Sequence, residues 1–426
     1  MPIANGLREE KYMQEKTIRI SWPFASRKED IRALGCALFA ALLIYLLVAS
    51  GLNLNLFAPS KYDNYTLQAM TWRQGRVSID HDYPAMELAF YNDKIFVSFP
   101  PFPTLIMLPL TFFFGMDTPS MLINMLLLLG SCAMSYCLMR RLKLSPLHAA
   151  AMAVFCVCGC NLLEVSEYGG VWNVAQGTAF FLTTTCFFLM NDPRDDARLP
   201  MVLGPLMIAF AVGCRPFQAV YVPWVLYRLY QRCAKKERRG VAHTLIAMIP
   251  YVILPGLVAV AYGAYNYVRF DNPFEFGHNY LPEFSTEGGI QFSLSHWPKN
   301  LRNILRWPYY EGNRLLFPKF FGFAFYLANP LFLMVTFELI RRARGRALDA
   351  EDFLLLGTAF VHFNLLLMHR TFGGYQFGTR YLLDTMPSLL FFLFRKKRGL
   401  TALDALLMIW GVAFNAYGAV AFHLAM

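Results

Sequence analysis

Apolar blocks long enough to cross a bilayer recur along this chain, separated by short basic clusters. In hydrocarbon every backbone polar group must be satisfied within its own segment, so such blocks are helices. The first runs from Ile31 to about Leu52, and further spans are expected near 119–139, 147–162, 172–190, 199–214, 216–231, 243–265, 316–340, 352–369, 381–394 and 400–424. A span needs about 20 apolar residues, so the reading is an all-α polytopic membrane protein with about 11 transmembrane helices. The short alternating segments of an outer-membrane barrel are absent. Only 16% of the 426 residues are charged, against about 25% in soluble chains. That excludes a soluble enzyme, a disordered scaffold and a small disulfide-stapled domain.

The charges sort by position. The net charge is +11, and the Lys and Arg residues gather in clusters around Arg140, Arg232, Arg341 and Arg395. Starting inside and crossing at each span places all four clusters on the cytoplasmic side, as the positive-inside rule requires. The basic excess therefore implies no nucleic-acid partner. Residues 1–30 read as a cytoplasmic tail followed by a retained signal-anchor, and the protein as a multi-pass protein of the cytoplasmic (inner) membrane. The parity holds if 102–115, short and carrying Pro103 and Pro109, is a juxtamembrane or re-entrant helix. If it crosses, the Arg140 cluster moves outside.

The chain then divides into the tail, an N-terminal transmembrane module over 31–265 that includes an outer loop at 53–118, a second outer loop over 266–315, and C-terminal helices over 316–426. Both outer loops are rich in aromatic residues, Pro and Gly and read as structured, so the chemistry is expected on the outer face. Trp297, Trp307, Tyr309 and Tyr310 beside Lys299, Arg302 and Arg306 suggest a helix at headgroup level. The nine cysteines, including Cys156, Cys158 and Cys160, lie in or beside apolar segments. Cys156, Cys158 and Cys160 read as buried thiols rather than a metal cluster, because residues two apart point to different faces of a helix.

In the first loop, Tyr65 to Trp72 is expected to form a short helix ending before Gly75. Asp63 precedes it. A carboxylate walled by aromatics at the membrane surface can be tuned for base work; it also reads as a loop Asp paired with Lys61 or Arg73. Asp80-His81-Asp82 has the form of a divalent-cation pair and equally that of solvated loop charges. Asn92-Asp93 reads as a tight turn between strand-like pieces. Arg215 marks an outer turn, and Glu164 and Glu167 lie outside between two spans. His362 reads as a packing residue or a proton relay.

The order of an anchor helix, Asp63, a Tyr-rich helix ending at Gly75 and Pro100-Pro101 before the next span resembles the GT-C fold glycosyltransferases that use polyprenyl-phosphate sugars. The likeness is to bacterial relatives of the protein O-mannosyltransferases and of the lipid A aminoarabinose transferase. Tyr265-Asn266 through Tyr280 and Gly378-Thr-Arg380-Tyr381-Leu resemble later elements of that family. Asn64 stands where many members have Glu, and Phe99 where many have Lys, leaving Lys94 as a candidate to hold the donor phosphate.

The resemblance implies a GT-C-like bundle with two structured outer loops. It implies transfer of a sugar from a polyprenyl-phosphate donor to an envelope glycan, lipid or protein hydroxyl by a single inverting displacement. Asp63 would be the base and Glu167 an acceptor-orienting carboxylate, with Lys94, Arg269, His278, Arg380 and Tyr381 as substrate-binding residues. The partners would be membrane lipids, the polyprenyl-linked donor and the acceptor. Asp80 and Asp82 permit a divalent cation, which the resemblance does not require, and no other cofactor is called for. The alternatives are a lipid or glycolipid flippase or transporter, and a non-catalytic GT-C-like subunit of an envelope assembly complex.

Overall fold

A computed structural model describes residues 28–194, 197–237, 240–285 and 291–424. Residues 1–27 of the expected tail, and Arg238 and Arg239 of one basic cluster, lie outside the described residues.

Helix α1 (Lys28–Gly51) shows how the apolar blocks are used. Ala37, Ala41, Tyr45 and Val48 form a buried stripe at helical spacing, whereas Ile31, Phe39, Leu43 and Leu47 stand exposed. A helix that exposes large apolar side chains opposite a packed stripe is solvated by lipid. Among the described residues, five helices are long and apolar enough to cross a membrane: α1, α4 (Ser120–Arg141), α10 (Val241–Phe270), α13 (Ala350–Leu367) and α15 (Ala402–Leu424). Between them run shorter helices α5 (Pro146–Cys158), α6 (Leu162–Ser166), α7 (Val171–Met190), α8 (Arg198–Val212), α9 (Val222–Glu237), α12 (Leu331–Arg344) and α14 (Met386–Phe394). Helix α7 is buried on nearly every face and packs against both α4 and α8, so it forms the centre of the bundle.

The loops add α2 (Asn64–Arg73), the hairpin β1 (Leu88–Tyr91) and β2 (Lys94–Val97), helix α3 (Phe102–Phe114), helix α11 (Trp297–Ile304) and the hairpin β3 (Tyr309–Glu311) and β4 (Arg314–Leu316). Both ends of α3 sit at one end of the bundle. The Phe102 amide donates to Gly213 O at 2.8 Å, just past α8. Beyond its other end, Ser120 Oγ accepts from the Ser60 amide at 3.2 Å, just past α1. Helix α3 therefore does not pass through the bundle.

Two expected spans differ from the sequence reading. Residues 316–324 are not helical, only a single helical turn follows over Phe325–Ala328, and α12 begins only at Leu331, after Pro330. Gly322, at φ +79°, and Pro318 break the apolar run. Its aromatic residues pack inward instead, Phe317 and Phe323 against Phe377 and Phe414. The span expected over 381–394 opens with a 3-10 turn over Arg380–Thr385 that is largely buried in protein. Irregular backbone at such depth is tolerated only where protein surrounds it.

The opposite end of the bundle is sewn together by ion pairs. Asp30 pairs with Arg140 at 2.5 Å, joining α1 to α4, and Asp192 pairs with Arg141 at 3.1 Å beyond the end of α7. Asp352 receives Arg342 at 3.0 Å, Arg395 at 2.7 Å and Lys396 at 2.5 Å, tying α12, α13 and α14. These are the clusters whose alternation set the expected topology. Removing one partner of a buried pair leaves uncompensated charge and costs about 3–5 kcal/mol. Asp352→Ala should lower stability by that amount in equilibrium unfolding from detergent micelles. Asp349→Ala should cost only about 1 kcal/mol, the usual loss for a helix cap. Equal small losses would show that the network does not hold this end together.

Candidate active site

The segment entering the 3-10 turn at Arg380 is positioned by buried amides. Gly378 has φ +61°, and a Cβ there would lie 2.4 Å from Asn161 Nδ2, so only glycine fits. Asn161 Nδ2 donates to Phe377 O at 2.9 Å, while its Oδ1 accepts from the Thr379 amide at 3.2 Å and from Asn329 Nδ2 at 2.6 Å. Gln176 of α7 donates to Arg380 O at 2.7 Å, and the Arg380 amide donates to Gln376 Oε1 at 2.9 Å. Arg380 and Tyr381 are thus presented on a backbone whose polar groups are paired.

The first outer loop is built as its residues suggest. Asp63 caps α2, accepting from the Thr66 amide at 3.0 Å and from Thr66 Oγ1 at 2.6 Å. The chain leaves α2 through Gly75 at φ +70°. Asn92 and Asp93, at φ 49° and 57°, turn β1 into β2, the left-handed pair such hairpins favour. Arg269, at the end of α10, pins this hairpin by donating to Val97 O at 2.7 Å and to Asn266 Oδ1 at 2.9 Å.

These elements enclose a cavity of about 980 Å³ at the end of the bundle opposite the ion-pair network. Its cations include Arg380, Arg215 and Lys61. Arg215 is matched by Asp384 at 2.6 Å. Among the described residues, Arg380 and Lys61 have no carboxylate within ion-pair distance, and the Arg380 Nε has no hydrogen-bond partner. The Tyr381 ring lies between two guanidiniums, Arg215 at 4.6 Å and Arg380 at 5.6 Å from its centroid. Opposing them, Glu87 and Glu164 also line the cavity. Burial, opposed by a hydrogen bond from Trp172 and reinforced by Glu283, pushes Glu87 up to about 7. Asp63 is pushed up to about 6 by burial, against the hydrogen bonds from Thr66. His278 and His369 line the same wall, and burial lowers both, His369 to about 3.

Of the residues singled out from the sequence, Arg380, Tyr381 and His278 line this cavity together. Asp63 is buried behind the wall formed by Ser60, Lys61 and Tyr62 and does not itself line the cavity. Glu167 is buried outside the cavity, and neither of its carboxyl oxygens has a hydrogen-bond partner among the described residues. Lys94 is exposed beside the hairpin turn, and Arg269 serves the hairpin rather than the cavity. Asp80 and Asp82 are exposed, Asp80 facing His81 at 3.1 Å and Arg76 at 4.0 Å. Among the described residues, no three His, Cys, Asp or Glu side chains converge as a metal-binding group. Sequence reading missed Glu87, His369 and the cavity role of Lys61. Nothing local marks Glu87, because its burial depends on Trp172 of α7.

The sequence matches no protein-family model, and no curated protein matches it. Solved structures match its fold. The oligosaccharyltransferase of Archaeoglobus fulgidus in its apo form aligns with a TM-score of 0.56 at 12% identity, over 94% of this chain and 57% of that one. Oligosaccharyltransferase AglB of the same organism, in complex with an inhibitory peptide and a dolichol-phosphate, aligns at 0.53 with 13% identity, over 90% and 55%. ArnT from Cupriavidus metallidurans bound to undecaprenyl phosphate gives 0.49 at 14% identity, over 89% and 62%. The chain thus spans little more than half the length of the solved oligosaccharyltransferases. The fold is GT-C-like, and the protein is a polytopic membrane protein.

Burial, and next the neighbouring Glu164, raises the Glu167 carboxyl well above the usual range. A carboxyl whose pKa is raised by folding contributes its stability below the unfolded pKa and loses it as pH rises through the folded one. Glu167→Gln has no such loss. Its stability relative to wild type should therefore grow with pH in detergent unfolding between pH 5 and 9, by about 1.4 kcal/mol per unit while the folded wild-type group stays neutral and the unfolded one is ionised. A gap independent of pH would mean that Glu167 is not held neutral.

Proposed function

We propose that this protein is a membrane glycosyltransferase that moves a sugar from a polyprenyl-phosphate donor to a hydroxyl acceptor. The observation that carries this reading is the cavity at one end of a GT-C-like bundle, with Arg380 and Lys61 free of close ion pairs among the described residues and carboxylates on the same wall. The lipid phosphate is the leaving group and calls for positive charge, which Arg380 supplies through paired donors and Lys61 as a point charge. Tyr381 holds Arg380 and Arg215 near one another across its ring. The acceptor oxygen attacks C1 of the sugar, the bond from C1 to the phosphate oxygen breaks, and the acceptor proton passes to a carboxylate. The configuration inverts in one displacement. The active site faces the outer side of the cytoplasmic membrane, with the basic end inside.

Asp63 takes the proton in this reading, since a carboxyl near 6 is ionised yet basic at neutral pH. Glu87, on the wall, orients the acceptor hydroxyl. A second reading exchanges these roles and is favoured by one observation: Glu87 lines the cavity and Asp63 does not.

The test is transfer in proteoliposomes supplied with labelled undecaprenyl- and dolichyl-phosphate sugars and an envelope-glycan acceptor fraction. Asn caps helices as well as Asp, so Asp63→Asn should keep its melting temperature and lose turnover by about 10²-fold or more. Loss in Glu87→Gln with Asp63→Asn active would establish the second reading. Full activity in both variants would remove both carboxylates from the chemistry, and no transfer by wild type from any donor would favour the flippase or the non-catalytic subunit.

The pH profile gives an independent check. The base acts only when ionised, so turnover should rise with pH and reach half its plateau near 6 if Asp63 is the base, or near 7 if Glu87 is. A rate that stays flat down to pH 5 would exclude both.

A further inference from the structure

At one edge of the cavity, three polar atoms from distant parts of the chain converge without hydrogen-bond partners among the described residues: Glu164 Oε2, Tyr375 Oη and His423 Nε2. Glu164, from α6, is only 5% exposed, and its Oε1 stands 3.7 Å from His423 Nε2, near the end of α15. The Tyr168 ring lies 4.9 Å from the His423 ring, and the Tyr375 ring 6.0 Å from it. All four side chains line the cavity. A buried polar atom left unpaired costs about 1–3 kcal/mol, so three at one place mark the contact points of a ligand.

We propose that this edge is a subsite for a neutral, polyhydroxylated sugar ring belonging to the acceptor. The chemistry narrows the ligand. An anion would meet Glu164, with Glu167 buried beside it. An alkyl tail would leave all three polar atoms unpaired. An ammonium group would satisfy Glu164 and could donate to the other two atoms, but it has no lone pair to accept the Tyr375 hydroxyl proton. A hydroxyl both donates and accepts, so one sugar ring can donate to Glu164 Oε2 and exchange hydrogen bonds with the phenol and the imidazole. The faces of Tyr168 and Tyr375 supply the flat apolar surface that the C–H side of a pyranose covers. The cationic residues Arg380 and Lys61 lie elsewhere in the same cavity, so the donor phosphate and this ring do not compete for one set of contacts. This inference rests on the glycosyltransferase reading for the ring's role as acceptor, and it commits that acceptor to being a glycan or glycolipid.

The test is direct binding, which needs no turnover. Purified protein in lipid nanodiscs is titrated with methyl glucoside, methyl galactoside, methyl mannoside and methyl N-acetylglucosaminide, read by saturation-transfer NMR and by Trp fluorescence. At least one glycoside should bind saturably. Glu164→Gln and Tyr375→Phe should each weaken it by about 10-fold, the equivalent of about 1.4 kcal/mol. Undecaprenyl phosphate should bind both variants as it binds wild type, which also shows that they are folded. Saturable binding by none of the four glycosides, or equal affinity in wild type and both variants, would overturn the subsite. Glycoside binding of the expected kind in a protein that transfers no sugar would retain the subsite and reject the transferase reading.

Discussion

Hydrocarbon leaves no backbone hydrogen-bonding group unpaired, and the functional end of this protein is organised around that constraint. The segment from Gly373 to Thr379 is irregular and Arg380–Thr385 is a 3-10 turn at the start of an expected span, so its amides and carbonyls need partners from side chains. Asn161, Gln176 and Gln376 supply them, and Asn329 orients Asn161. The arrangement exchanges helical hydrogen bonds for amide ones and so frees a stretch of chain to carry Arg380 and Tyr381 into the cavity. Helices alone would point these side chains at neighbours or at lipid.

Charge is divided between the two ends in a complementary way. At one end, Asp30, Asp192, Glu338 and Asp352 are each met by an arginine, and the pairs bind helix to helix. At the other, cations and carboxylates face a shared space, and several lack partners. Paired charge at low dielectric holds structure together, and unpaired charge held in place there is ready to meet a ligand. The ordered end supports the costlier one.

The helical bundle was legible because apolar length and basic clusters are properties of contiguous sequence. So were α2, with Asp63 ahead of it and Gly75 behind, and the hairpin at Asn92-Asp93, since each depends on a few neighbouring residues. The break at Pro330 was masked by the apolar aromatic residues around it, which pack against protein rather than lipid. The membership of the cavity was legible only in part. Arg380, Tyr381 and His278 belong to stretches with a recognisable local pattern. Glu87 and Lys61 do not: Glu87 meets Trp172 and Arg380, and Lys61 lies over the neighbouring Tyr62, whose ring packs on Trp172; both partners of Glu87 are far away in the chain. A basic residue in an outer loop looks the same whether it lines a cavity, as Lys61 does, or stands beside a hairpin turn, as Lys94 does.

The contribution of α15 has a consequence for biogenesis. His423 completes a wall begun by Tyr62 and continued by Glu164 and Tyr375. Synthesis delivers these pieces in that order, with most of the chain emerging between the first and the last. Until α15 is inserted, Glu164 and Tyr375 face an open flank of the bundle rather than an enclosed chamber. The nascent protein thus carries its lipid-facing helices and its ion-paired end through translation, while the chamber closes only once α15 is in place.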